Sequence, residues 1–247
     1  MLGAPGSVLT ATSTASGYDV KEIYNMLETT MWKAANTASP HYVSFDGGSA
    51  PAIYTADCLA IIGHNLGSAG ALVGLQYSFD GFATEAVDVF TQFTPSSDKA
   101  IFKEFVNPGA KRYWRLALSN MTAPVYLSVC LWGNKTELDY ATAGFDPHEQ
   151  EVKANVSVSE TGYLLGIHHK YIERSMTIKF EDADVDLYAK VREWWEANGL
   201  KNFFVVWEGA NSPDDVFLMR PDAKFSNPFK AGGLYRDVTI SFKGRKE

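Results

Sequence analysis

From Tyr42 onward, short apolar runs recur about every 8–12 residues, and nearly every run ends in a cluster of turn residues. Tyr42-Val43-Ser44-Phe45 runs into Asp46-Gly47-Gly48, and Ala71 to Tyr77 closes on Phe79-Asp80-Gly81, where Asp-Gly is a strong hairpin signal. Leu59-Ala60-Ile61-Ile62 is continuously apolar, as a strand buried on both faces must be. Residues 86–94 alternate in part, and Ile101, Phe102 and Phe105 lead to Asn107-Pro108-Gly109. Residues 112–118 alternate cleanly, with Tyr113 and Arg115 on one face and Trp114 and Leu116 on the other. Val125 to Trp132 is one more strand, stopped at Gly133-Asn134. This rhythm predicts a β-sandwich or barrel.

The rhythm is lost over residues 134–150 and resumes at Val152, which predicts a second domain. Residues 152–158 alternate, 163–167 form a short apolar run, and 171–180 carry Ile172, Met176, Ile178 and Phe180 on a period of two. One segment has helical spacing: Leu187, Val191, Trp194 and Trp195 form a single apolar stripe. It predicts a helix over about 183–198, with Asp182 or Asp184 as its cap and Gly199 at its C-terminal end. Strands follow at 203–207, 216–219 and 235–242. Residues 1–20, rich in Gly, Ala, Ser and Thr, read as an extended arm, mobile or fixed by a partner. The expected fold is all-β, mainly β with one helix. A jelly-roll sandwich over 21–140 is followed by a β-barrel-like domain over 141–247 that packs the helix.

Composition narrows the function. The net charge of −7 is spread over both halves, with eight Lys/Arg against twelve Asp/Glu in residues 1–140 and fourteen against seventeen beyond. Nucleic-acid binding needs a basic face, and the clusters Lys111-Arg112-Arg115 and Lys243-Arg245-Lys246 are too small to supply one. No apolar run reaches the ~18 residues of a membrane span, and the N-terminus lacks the pattern of a signal peptide. Cys58 and Cys130 sit in apolar runs and read as buried thiols, with a single bridge between sandwich strands left open.

The chemistry-bearing motifs of enzymes are missing: no G-x-S-x-G elbow, no phosphate-binding glycine loop and no metal-ligand spacing of His or Cys occurs. His168 and His169 are neighbours, so on a strand they point to opposite faces. Asp182, Asp184 and Asp186 resemble the start of a calcium loop, but Leu187 stands where its glycine is required. No catalytic residue, cofactor or metal is expected, although Asp46 or Asp57 is available to a structural calcium ion at a strand end.

Five segments in order resemble the discoidin, or coagulation-factor C-type, domain of the galactose-binding-like group. They are Trp32 followed by Tyr42-Val43-Ser44-Phe45-Asp46-Gly47-Gly48, the strand 59–62, Leu75-Gln76-Tyr77-Ser78-Phe79-Asp80-Gly81, Lys111-Arg112-Tyr113-Trp114-Arg115-Leu116, and Leu131-Trp132-Gly133. The flanking cysteine pair of the extracellular members is absent. The resemblance implies a jelly-roll sandwich with ligands bound in the loops at one end. A saccharide needs a ring to stack on and polar groups for its hydroxyls, and Tyr54, His64, Asn65, Phe82 and Arg112 are the candidates.

The segment Ile61-Ile62-Gly63-His64-Asn65-Leu66-Gly67-Ser68-Ala69-Gly70-Ala71 and the helix-containing second half resemble parts of the minor tail or distal-tail (tail-tip, baseplate hub) proteins of long-tailed phages. That resemblance implies a non-enzymatic structural role in a virion tail, made in the host bacterial cytoplasm. Its partners would be copies of itself in a trimeric or hexameric ring and other tail proteins. A carbohydrate-binding module for host-surface glycans is the alternative, and a glycan-acting hydrolase a more distant one.

Overall fold

The computed structural model describes residues 6–48, 54–142, 144–198, 201–209 and 215–245. The chain divides into two compact units, residues 1–135 with 208–216 and residues 136–207 with 217–247. It is mainly β, with one α-helix and three antiparallel sheets.

The first unit carries β1 (Val8–Ala11), β2 (Trp32–Lys33), β3 (His41–Asp46), β4 (Cys58–His64), β5 (Leu72–Ser78), β6 (Val87–Asp88), β7 (Ile101–Glu104), β8 (Tyr113–Ser119) and β9 (Tyr126–Gly133). One sheet has the order β1-β3-β8-β5-β6 and the other β2-β9-β4-β7. Their inner faces meet in one core, where Phe45, Trp114 and Leu116 from the first sheet join Leu59, Ile61 and Trp132 from the second. Alternation decides which residues enter it. Trp114 and Leu116 are fully buried while Tyr113 and Arg115 stay at the surface. Within the N-terminal arm, Val8–Ala11 pair with β3 of their own chain as an edge strand. Of the alternating residues 86–94, only Val87–Asp88 is a strand.

The second unit carries β10 (Gln150–Val158), β11 (Leu164–Ala183), α1 (Val185–Asn198), β12 (Phe203–Val206), β13 (Val216–Ser226), β14 (Phe229–Lys230) and β15 (Tyr235–Arg245). The apolar runs at 163–167 and 171–180 belong to one 20-residue strand, because β11 pairs with β10 along its first half and with β15 along its second. The sheet order is β10-β11-β15-β13-β12, with β14 on β15. Among the described residues no pairing joins β10 to β12. The helix caps on Asp184, whose Oδ1 accepts from the Asp186 and Leu187 amides at 3.1 and 2.8 Å. Asp182 instead sits at φ 55° and pairs with Lys230 at 3.2 Å. Leu187 and Val191 are buried with Met176, Phe180 and Val238, and Trp194 meets Phe203 edge-on at 4.8 Å. Gly199 lies outside the described residues.

Candidate functional site

Strand order decides which loops share an end of the sandwich. Asp46 lies opposite Tyr113, Ser78 also lies opposite Tyr113, and Cys58 lies opposite both Gly133 and Glu104. The segments 47–57, 79–86 and 105–112 therefore gather at one end, and 49–53 of the first lies outside the described residues. The other end carries the segments 65–71 and 120–125. The five candidate saccharide contacts divide between these ends: Tyr54, Phe82 and Arg112 at the first, His64 and Asn65 at the second.

The side chains of His64 and Asn65 hydrogen-bond the chain itself. His64 is buried, and its Nε2 lies 2.7 Å from the Lys99 carbonyl, which only accepts, so Nε2 carries the proton. Its Nδ1 then accepts from the Leu66 amide at 3.2 Å. Burial holds the ring below the ordinary imidazole range, so it is neutral. Asn65 donates to the Pro124 carbonyl at 3.1 Å and accepts from the Tyr126 amide at 2.8 Å. Both side chains tie loop to strand and spend their hydrogen-bonding groups on the chain itself.

The first end presents polar and aromatic groups together. Arg112 holds Asp46 with two hydrogen bonds, Nε to Oδ1 at 2.7 Å and a terminal nitrogen to Oδ2 at 3.0 Å. The guanidinium and the Gly48 amide together keep the Asp46 carboxyl below its ordinary value. The same guanidinium lies 4.7 Å from the centre of the Tyr113 ring. Lys111 Nζ donates to the Pro108 carbonyl at 2.7 Å and stands 4.9 and 4.8 Å from the Tyr77 and Phe79 ring centres. Phe79 meets Tyr77 edge-on at 5.7 Å yet is 65% exposed. Tyr54 pairs its backbone with Lys111 and sets its ring against Phe45 at 5.3 Å, which anchors the floor of this end.

The loop bearing Phe79 is fixed from both sides. Asp80 accepts from Ser78 Oγ, the Ala83 amide, and the amide and hydroxyl of Thr84, and these bonds hold its carboxyl well below the ordinary range. Gly81 and Phe82 both take positive φ, 72° and 66°, which turns the chain back over the sheet. There Phe82 closes on Arg115, whose guanidinium is sandwiched between the Phe82 and Tyr42 rings at 4.1 and 3.9 Å. Arg115 also donates to Gln76 at 2.7 Å, and Gln76 to Asp88 at 2.8 Å. Phe82 thus clamps the loop, and Phe79 is the ring left facing solvent. The sequence marks Phe79 only as a turn residue and Lys111 only as part of a small basic cluster.

No protein-family model matches the chain, and no curated protein matches it. Solved structures do. The fold is similar to chitosan-binding module 1 of a chitosanase/glucanase from Paenibacillus sp. IK-5, at 18% identity over 51% of this chain and 94% of that one, with a TM-score of 0.43. A pectin-binding carbohydrate-binding module matches at 15% identity over 51% and 88% of the two chains, with a TM-score of 0.41. The family 32 module of Clostridium perfringens NanJ, solved with galactose, matches at 13% identity over 51% and 93%, with a TM-score of 0.41. The N-terminal half resembles a carbohydrate-binding module. The tail-assembly resemblance of the second half has no support beyond the sequence.

Proposed function

We propose that the N-terminal sandwich binds a saccharide at the end that carries residues 54–57 and the segments 79–86 and 105–112. One observation carries the reading: Phe79, on a loop pinned by Asp80 and Phe82, exposes its ring beside Lys111, at the same end of the sandwich as the Arg112–Asp46 pair. A sugar offers a C–H face to a ring and hydroxyls to charged donors and acceptors, and this end supplies both on a rigid support. A fixed loop also lowers the ordering cost of binding. Binding without turnover fits the remaining reactive groups, since both nitrogens of His64 are engaged and both cysteines are buried.

The test is retention of the full chain on immobilised polysaccharides of neutral, acidic and amino-sugar type, followed by titration calorimetry with the fragments that retain it. Saturable binding to one class, weakened about tenfold or more by Phe79→Ala (about 1.4 kcal/mol or more) with the thermal melt unchanged, is the expected result. Binding to none of the three, or binding that Phe79→Ala leaves intact, removes this reading.

A further inference from the structure

Among the described residues β15 pairs with β11 only as far as Glu173, and beyond it β10 and β11 pair with each other as a ribbon. Its two faces differ sharply. Opposed residues of an antiparallel pair share a face, so Val152 with Ile172, Ala154 with His169, Val156 with Ile167, and Val158 with Leu164 make one face that is apolar but for His169. That face continues the side of β11 that buries Met176 and Phe180, yet Val156 on it is 58% exposed. The other face carries Glu151, Lys153, Asn155 and Ser157.

Among the described residues the ribbon has two edges with no strand paired beyond them, and they are not equal. On the β11 edge the pairing skips Lys170 and Leu165, so two bulges and a lysine interrupt it. Such interruptions keep an edge from recruiting another strand. On β10 the nine residues Gln150–Val158 run without a skip, with no proline and no glycine. β10 is also the terminal strand of its sheet. Its one lysine, Lys153, is held by Glu151 and Glu173, and an edge without a bulge of this kind is a template for a further strand.

We propose that the occupant is the β10 strand of a second copy of this chain, paired antiparallel about a two-fold axis at Ala154. In that register Val152 meets Val156 of the other copy, twice, on the apolar face, where opposed branched side chains support each other. On the polar face Glu151 meets Ser157 and Lys153 meets Asn155, so no like charges oppose. Placing Lys153 at the axis instead would set the two lysines against each other, and other in-face registers pair fewer residues. The strand is self-complementary in sequence, and the pairing closes at two because each copy uses the same edge.

The experiment is light scattering on the full chain over a concentration series, with two variants of the exposed Ser157 checked for folding by circular dichroism. The wild type gives a concentration-dependent dimer. Ser157→Glu opposes Glu151 of the partner at two symmetric points and weakens the dimer about tenfold, whereas Ser157→Lys faces it with the opposite charge and tightens the dimer by a similar factor. A monomer at every concentration overturns the proposal. So does a trimer or hexamer, or a dimer that the two variants leave unchanged or shift in the same direction.

Discussion

Arg112 and Asp46 meet side-on across 66 residues of sequence, through two hydrogen bonds of 2.7 and 3.0 Å, and so join the end of β3 to the start of β8. A lysine supplies a point charge in place of the planar fork and cannot reproduce both bonds. Because Asp46 titrates below its ordinary value of 3.8 in the fold, the pair's contribution is fully present above that value and is lost as pH falls through the depressed one. Asp46→Asn is therefore expected to lower the melting temperature at pH 7, by a deficit that shrinks as pH falls below 3.8 and through the depressed value. A deficit that stays the same as pH falls contradicts the assignment.

His64 predicts a second pH dependence. Its Nδ1 accepts from the Leu66 amide, so adding a proton there sets two donors against each other inside the loop. The unfolded chain takes that proton near 6.5 and the folded chain only at lower pH, so stability falls as pH drops from about 6.5 toward the depressed folded value. Urea midpoints at pH 7.5 and 5.5 measure the slope. His64→Gln is expected to lower the midpoint at pH 7.5 and to reduce the difference between the two.

Two buried tryptophans should respond differently to the same replacement. Trp32 Nε1 lies 3.1 Å from the Ser13 carbonyl and 3.2 Å from Thr14 Oγ1, tying the N-terminal segment to the core. Trp132 Nε1 is buried and has no hydrogen-bond partner among the described residues. Phenylalanine removes similar apolar area at both sites. At Trp32 it also strands a carbonyl, while at Trp132 it relieves an unpaired donor. Trp32→Phe is expected to cost about 1–3 kcal/mol more than Trp132→Phe in chemical denaturation.

These features were unequally legible in the sequence. The alternation at 112–118 specifies β8 and its buried face because a period of two is local information. The unity of β11 is not local: a 20-residue strand arises only because two different partners support its two halves. The grouping of the candidate site residues is not local either. His64-Asn65 and Arg112 carry equally promising side chains, and only strand order shows that they lie at opposite ends of the sandwich. Phe79 precedes an Asp-Gly turn like many buried strand-end aromatics. Its exposure follows from Phe82 taking the covered position against Arg115, a contact that depends on a positive φ at Phe82 which the sequence does not announce.

The cysteines offer a test that the sequence alone left open. Cys130 lies opposite Ile61 on the core face, and Cys58 is three residues from Ile61, which places it on the other face of the same sheet. Two thiols on opposite faces of one sheet cannot bridge. Burial pushes the Cys58 thiol up to about 12 and raises Cys130 further from reactivity. The native chain is expected to react with neither equivalent of a disulfide thiol reagent over minutes, and the guanidinium-unfolded chain with two. Fewer than two thiols in the unfolded, unreduced chain contradicts the placement.

Gly67 is required by space where Gly70 is required by conformation. A Cβ on Gly67 lies 2.4 Å from the Ser97 carbonyl carbon and oxygen, with no flexible side chain in between to yield. The neighbouring contacts that depend on this approach are Ser68 N to Asp98 Oδ1 at 2.9 Å and His64 Nε2 to the Lys99 carbonyl at 2.7 Å. Gly67→Ala pushes the two loops apart and is expected to cost about 1–3 kcal/mol, as overpacking does. It should also release His64, so the slope of stability between pH 7.5 and 5.5 shrinks with it. Gly70 has no atom within 4 Å of its would-be Cβ but sits at φ 62°. Gly70→Ala is expected to cost about 1–2 kcal/mol from backbone strain alone and to leave the His64 slope intact. Thermal melts of both variants at the two pH values separate a steric from a conformational requirement. If both lose the slope, or neither does, the loop contact at Gly67 is not what holds His64.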